Sequence, residues 1–395
     1  MAGGFYRNAE LIGRLSLVVF FAMSFAMTGE AKPILEVVPF DRIAGWAADD
    51  HAAALAAFQR SCQEIINVGH GFQRHVRFGG SRAEWLAVCK NASQAKSPRQ
   101  FFETEFTALA VADPVRPAGL FTGYYEPEAD GSRTPGNGFD VPIYRKPADL
   151  VGFDEVTEKR LGLKYGRMLA GKPAGYWTRR EIEHGALKSR GLELVWLKSW
   201  VDAYFIHVQG SGRIRFADGS FMRLAYGAKT GQPYTGIGGL LVERGVLTKD
   251  NMSMQALRKW MAENPKPARQ LMWENKSFIF FREVKVDDAT LGAPGAQKVS
   301  LTPLRSLAVD RGLWMFGTPI WLDADVPSGT SNEMQPFRHL MIAQDTGTAI
   351  KGYARGDVYW GWGENAALIA GQMKSAGTMT VLLPKQLAHR LLNER

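Results

Sequence analysis

Apolar positions recur along this chain with two different periods, and the change between them divides it. From Asp50 to Ile66 the residues Leu55, Phe58, Cys62, Ile65 and Ile66 share one helical face. Arg82 to Ala92 repeats that spacing with Trp85, Leu86, Val88 and Cys89, and Pro98 to Ala108 repeats it with Phe101, Phe102 and Phe106. Residues 40–110 are therefore predicted to be mostly helical. After Pro114 and Pro117 the pattern becomes short aromatic and β-branched runs between Gly, Pro and Asn, which predicts strands. Leu120 to Pro127 is one. Val141 to Tyr144 is another, confined to an edge or a bulge by Pro142. Thr178-Arg179-Arg180-Glu181 matches a capping box and starts a short helix. Glu193 to Val201 and Ala203 to Gln209 read as strands around Asp202. Ile214 to Phe216 and Phe221 to Leu224 flank a hairpin turn, Ala217 to Ser220. Leu240 to Arg244 is an apolar helix, Ser253 caps a helix that Asn264-Pro265 stops after Glu263, and Ser277 to Phe281 is a strand.

The C-terminal part is again strand-like: Leu307 to Asp310, then Gly317 to Leu322, then His339 to Gly363. In the last stretch Leu340 to Ala343 is a strand, Gln344 to Gly347 turns, and Ala349-Ile350 resumes the strand. Lys351-Gly352 opens a loop, and Asp357 to Trp360 is a strand ending at Gly361-Trp362-Gly363. Asn365 to Met373 is a helix and Met379 to Leu383 the last strand. Asp345 and Asp357 each stand at the mouth of an apolar strand. A carboxylate beside Val, Tyr and Trp is desolvated, which raises its pKa and suits it to general-acid work. Asp is also a favoured turn residue, so both could simply cap turns.

The balance of 46% hydrophobic and 22% charged residues over 395 is that of a globular protein, long enough for two domains or one large one. The net charge of +9 suits a polyanionic partner, but no dense Lys/Arg run favours nucleic acid. Arg7 and Arg14 precede an apolar run from Leu15 to Met27, and Gly29-Glu30-Ala31 follows. Residues 1–31 thus read as a secretory signal. The run is shorter than the roughly 20 apolar residues of a spanning helix, and an uncleaved anchor is the alternative. No Cys lies there to carry a lipid. The two cysteines, Cys62 and Cys89, form an even count in an exported protein and point to a disulfide between the first two helices. Two buried thiols are the alternative.

Several motifs fail. Gly166 to Lys172 begins like a phosphate loop, but Pro173 stands where Ser or Thr must follow. Gly236-Ile237-Gly238 lacks the third Gly of a dinucleotide turn. Gly210-Ser211-Gly212 lacks the spacing of a nucleophile elbow. His70, His75 and His207 have no metal-ligand spacing. The expectation is no cofactor and no metal. What remains, carboxylates and an aromatic, amide-rich surface, fits a carbohydrate. Tyr124, Tyr125, Trp360 and Trp362 could stack on sugar faces or serve as plain core. Thr122, Gln209 and Ser211 could hydrogen-bond.

At these residues the chain resembles the membrane-bound lytic murein transglycosylase A family. The matching segments are FTGYYEPEADGSRTPGNGFDVPIYRKP at 121–147, FIHVQGSGRIRFADGSFMRLAYGAKTGQPYTGIGGLLVERG at 205–245, SMQALRKWMAENP at 253–265, and SLAVDRG followed by AQDTGTAIKGYARGDVYWGWG within 306–363. The last looks like the family's 3D module, whose three aspartates would be Asp310, Asp345 and Asp357. The resemblance implies a mainly β fold with α: a double-psi β-barrel with a second small β domain inserted into it and a helical N-terminal part. The implied boundaries are 1–31 signal, 32–127 helical part, 128–283 inserted domain and 284–395 barrel. It implies Asp357 as the acid, Asp345 as a partner holding it by a hydrogen bond or a shared proton, and Asp310 as a turn residue. Thr122, Tyr124, Tyr125, Gln209, Ser211, Gly212 and Lys351 would bind substrate. The implied activity cleaves peptidoglycan between N-acetylmuramic acid and N-acetylglucosamine, leaving 1,6-anhydro ends. One carboxylate suffices, because the sugar's 6-hydroxyl attacks, whereas a hydrolase needs two. Many members carry a lipid-bearing Cys after the signal. This chain has none there, so a monomeric periplasmic enzyme is expected, loosely associated with the outer membrane or with wall-synthesis complexes. A glycan-binding protein on the same scaffold and a hydrolase with Asp345 as base are the rival expectations.

Overall fold

The computed structural model describes residues 34–113, 118–285, 288–329 and 333–394, so the signal expected over residues 1–31 lies outside the described residues. Strand β1 (Ile34–Val37) leads to α1 (His51–Asn67), which starts where the Asp50 carboxylate accepts the Ala53 N–H. Helix α2 (Arg82–Ala92) starts at a reciprocal Ser81–Glu84 capping box. A disulfide joins Cys62 of α1 to Cys89 of α2, with Cα atoms 5.2 Å apart. Helix α3 (Pro98–Glu105) is shorter than the spacing predicted, because Phe106 opens a strand, β2 (Phe106–Ala112). The run Thr107 to Val111 suits either period. Pairing with a C-terminal strand decides it. Phe58, Trp85 and Phe102 centre an apolar cluster under these helices.

Strand β3 (Gly119–Glu126) passes through Pro127 directly into β4 (Glu128–Ser132) of a different sheet. There follow β5 (Val141–Tyr144), β6 (Val151–Gly152), α4 (Glu155–Leu161), β7 (Tyr165–Leu169), β8 (Lys172–Gly175) and α5 (Arg179–Glu181), the last opened by the Thr178–Glu181 capping box. Next come β9 (Glu193–Leu197), α6 (Trp200–Gln209), β10 (Ser211–Arg215), β11 (Phe221–Lys229), α7 (Ile237–Glu243), α8 (Met254–Glu263), α9 (Pro265–Glu274) and β12 (Ile279–Val284). Six of these strands form one sheet in the order β12-β11-β10-β4-β9-β5, with the proline-bearing β5 at its end, and β6, β7 and β8 form a small second sheet.

One expectation needs correction here. Residues Ala203 to Gln209 are helical, not extended. Ser199 accepts the N–H groups of Val201 and Asp202, and Gly210 ends the helix with a positive φ of 77°. Ala203 to His207 are all buried, so period alone could not separate helix from strand. Pro265 stops α8 but also opens α9, where a first-turn proline costs no hydrogen bond.

The chain then re-enters the first sheet with β13 (Ser306–Val309), β14 (Pro319–Pro327), β15 (Met334–Asp345), β16 (Arg355–Trp362), α10 (Gly363–Gln372), β17 (Lys374–Pro384) and α11 (Lys385–Asn393). Ala349-Ile350 belongs to the loop between β15 and β16 rather than to a strand. The order is β1-β2-β17-β14-β15-β13-β16-β3, and β3 also pairs with β17. Six strands therefore close into a ring, and everything from β4 to β12 is inserted in the chain between β3 and β13, which flank β16 in that ring. Leu307, Ile320, Leu322, Met341, Val358 and Val381 fill the ring's core. No helix among the described residues is long and apolar enough to cross a membrane.

Candidate active site

Strand register brings four residues into one row. Thr122 of β3 pairs with Asp357 of β16, Asp357 pairs with Ala308 of β13, and Ala308 pairs with Asp345 of β15. Residues paired across strands share a face, so both aspartates project from the same side of the ring. Two interstrand steps put their backbones about 10 Å apart. Tyr124 and Tyr359 lie two residues further along β3 and β16 on that face, with ring centroids 5.2 Å apart.

The two carboxylates are held differently. Asp345 is fully engaged: Oδ1 accepts the N–H groups of Ala296 and Thr346, each at 2.9 Å, and Oδ2 accepts the Tyr124 hydroxyl at 3.0 Å. Asp357 has one hydrogen-bond partner among the described residues, the Thr122 hydroxyl, which donates to Oδ1 at 2.5 Å. Thr122 Oγ1 in turn accepts Arg355 Nη2 at 2.9 Å. Its single hydrogen could not serve both neighbours without this order, so Arg355 fixes the direction of the Thr122 bond. Asp357 Oδ2 has no hydrogen-bond partner among the described residues, and the side chain is half-buried.

Burial pushes the Asp357 carboxyl above the usual range. The Thr122 bond and the Arg355 charge pull it back, and the Asp345 charge pushes it up again. Burial likewise raises Asp345, against the N–H groups of Thr346 and Ala296 and the Tyr124 hydroxyl. Burial and the charges of Asp345 and Asp357 hold Tyr124 well above an ordinary phenol.

The expected direct bond from Asp345 to Asp357 is absent among the described residues, because Ala308 stands between their strands. Asp345 acts on Asp357 through space. Asp310 caps its own turn through the Gly312 N–H and accepts Lys351 Nζ at 3.3 Å. The other expected binding residues scatter. Tyr125 points to the opposite face of β3, onto Ala366 and Ala370 of α10. There it lines a cavity of about 250 Å³ with Met254, Gln255 and Arg258, away from the aspartates. Gln209 accepts the Tyr125 N–H, and Ser211 and Gly212 are paired inside β10–β11. Trp360 packs beside Phe337 in the core. Trp362 lies in register with Glu126 after a bulge at Gly361, which turns it to the face of Asp357.

Sequence reasoning missed three contributors. Arg355 was legible only as a cation two residues before Asp357. The hairpin from Gly292 to Leu301 was not predicted at all, yet its backbone binds Asp345. Its glycines are its signal: a Cβ at Gly292 would fall 2.1 Å from the Tyr359 hydroxyl. The third contributor is Glu126, enclosed where β3 meets the inserted sheet.

Two family models match: the MltA specific insert domain over residues 120–282 and the 3D domain over residues 305–383. A membrane-bound lytic murein transglycosylase from Agrobacterium tumefaciens superposes with a TM-score of 0.81 at 35% identity, covering 90% of this chain and 99% of that one. The chain belongs to the membrane-bound lytic murein transglycosylase A family. Within this family, the Vibrio cholerae member is 34% identical over 264 residues, and the Escherichia coli member 35% over 268. These matches span 63% and 65% of the two relatives' lengths, and 65% and 66% of this chain. The E. coli protein with bound chitohexaose matches with a TM-score of 0.62 at 27% identity, covering 90% of this chain and 93% of that one.

Proposed function

We propose that this protein is a lytic transglycosylase that cleaves the glycan strands of peptidoglycan and leaves 1,6-anhydro ends. The observation that carries this reading is the asymmetry between the two aspartates. Asp357 keeps one oxygen without a hydrogen bond among the described residues and has a raised pKa, which suits a general acid. Asp345 already accepts three hydrogen bonds, which leaves it poorly placed to activate water. One working carboxylate fits intramolecular attack better than hydrolysis.

In the proposed reaction, protonated Asp357 donates from Oδ2 to the glycosidic oxygen as the C1–O bond breaks. The 6-hydroxyl oxygen of the same sugar then bonds to C1 and its proton passes to the Asp357 carboxylate. The acid is regenerated and no water is consumed. Thr122 and Arg355 hold Oδ1, so that only Oδ2 faces the sugar. Tyr124 and Asp345 keep the local charge that raises Asp357. The six-strand ring is, in this reading, the double-psi β-barrel implied by the resemblance, with residues 128–283 as the inserted domain and 284–395 completing the barrel. Thr122, Tyr124, Gln209, Ser211, Gly212 and Lys351 remain the proposed glycan contacts, and Tyr125 supports from behind. The relatives' names favour a cell-envelope location, and the charge of +9 suits a wall polymer with acidic stem peptides.

Mass spectrometry of purified peptidoglycan after incubation with the protein tests this. Muropeptides with 1,6-anhydro ends are expected. Reducing ends would establish a hydrolase, and no soluble product a binding protein.

A further inference from the structure

Glu126 is the last residue of β3, and one proline separates it from the inserted sheet. Its side chain is fully enclosed. Arg223 of β11, also buried, brings Nε to 3.0 Å from Glu126 Oε1. Arg223 is itself paired in register with Val284, the last residue of β12 before the chain returns to the ring. The ion pair therefore ties the strand by which the chain leaves the ring to β11, whose backbone partner β12 is the strand by which it comes back. Arg213 reinforces the first crossing. Its N–H donates to the Pro127 carbonyl at 2.8 Å, and its guanidinium stacks 4.8 Å from the Trp362 ring.

We propose that Glu126 and Arg223 form a hinge lock, which makes Glu126 a positioning residue: the charged pair sets the inserted sheet over the face bearing Asp357, and protonation of Glu126 releases it. This rests on the reading of that face as a glycan site. The groups facing Glu126 are Arg223 from β11, Arg213 from β10, Glu128 from β4 and Tyr359 from β16. Burial raises the carboxyl, the two arginines oppose it, Glu128 adds to it, and the balance is about 7. The pair is thus charged above that pH and neutralised below it. Arg223 Nε stands 3.0 Å from the enclosed carboxylate, so neutralising Glu126 removes the charge–charge part of this contact. The path to the site is short. The Tyr359 hydroxyl is enclosed beside this cluster and unpaired among the described residues, its ring packs on Tyr124, and Tyr124 binds Asp345.

The test uses the full chain, chitohexaose as probe, and calorimetry at pH 8 and pH 6 in buffers of different ionisation heat. Wild type should bind about fivefold or more weakly at pH 6, the lower range of coupling between sites, and should release protons on binding at pH 7. Glu126→Gln should bind weakly at both pH values and lose that proton release, which a merely structural role would leave in place. Amide exchange reads the hinge without ligand: the Arg213 N–H should exchange faster in Glu126→Gln, while β14 and β15 keep wild-type protection. Arg223→Lys keeps the charge and should retain the pH transition, and it carries the test if the Gln variant does not fold. Wild-type affinity at pH 8 with unchanged Arg213 exchange in Glu126→Gln would overturn the lock. If the wild type made no anhydro product, the proposed reaction would fall, but these binding and exchange differences would stand or fall separately.

Discussion

The Thr122 hydroxyl donates to Asp357 Oδ1 at 2.5 Å across the paired strands β3 and β16. The two residues are 235 positions apart, and the whole inserted sheet lies between them in sequence. This bond stabilises the ionised form of Asp357 and aims its other oxygen outward.

Thr122→Val should therefore raise the Asp357 pKa. In the proposed reaction Asp357 must start protonated, so its pKa sets the alkaline limb of the pH–rate profile. That limb should move to higher pH, while the rate at its optimum falls about tenfold or more from lost orientation. A profile of kcat/KM from pH 4 to pH 9 checks both. An unmoved limb would separate Thr122 from the acid.

Asp345→Asn should act in the opposite direction. The Asp345 charge raises Asp357, so neutralising it lowers the Asp357 pKa and moves the alkaline limb to lower pH. Products should keep their anhydro ends, and the loss should stay below the roughly 10²- to 10⁴-fold cost of removing a general base. A loss in that range, with reducing-end products from the wild type, would make Asp345 the base of a hydrolase.

Asp49 offers a test of stability far from the site. Burial pushes its carboxyl up, but bonds from His339 and Arg305, with the Arg305 charge and the Leu340 N–H, hold it at about 2. The folded-state pKa is depressed, so this stabilisation is complete above about pH 4 and disappears as pH falls through about 2. The difference from 3.8 corresponds to about 2 kcal/mol at pH 7. Asp49→Asn should lose at least about that much in urea unfolding at pH 7, and the gap between variant and wild type should narrow steadily below pH 4.

The helices α1 and α2 were legible because local signals agree in them: an apolar face of period 3.6 and caps at Asp50 and Ser81. The strand that carries Asp357 was legible from Val358, Tyr359 and the glycines that close it. What could not be read was anything decided by distant pairing. Phe106 left its helix for β17, and Ala203 to Gln209 became a helix because Ser199 and Gly210 cap it. The row Thr122–Asp357–Ala308–Asp345 depends on strand order in the ring, which no local pattern encodes. For the same reason Tyr125 and Tyr124, adjacent in sequence, lie on opposite faces of β3 and do different work.

The central claim is that Asp357 is the acid of an intramolecular cleavage. Asp357→Asn keeps the shape and the Thr122 contact but cannot deliver a proton. Mass spectrometry of peptidoglycan digested by each protein should find 1,6-anhydro muropeptides from the wild type and a yield about 10²- to 10⁴-fold lower from the variant, with unchanged unfolding temperature. An equal anhydro yield from Asp357→Asn would contradict the account.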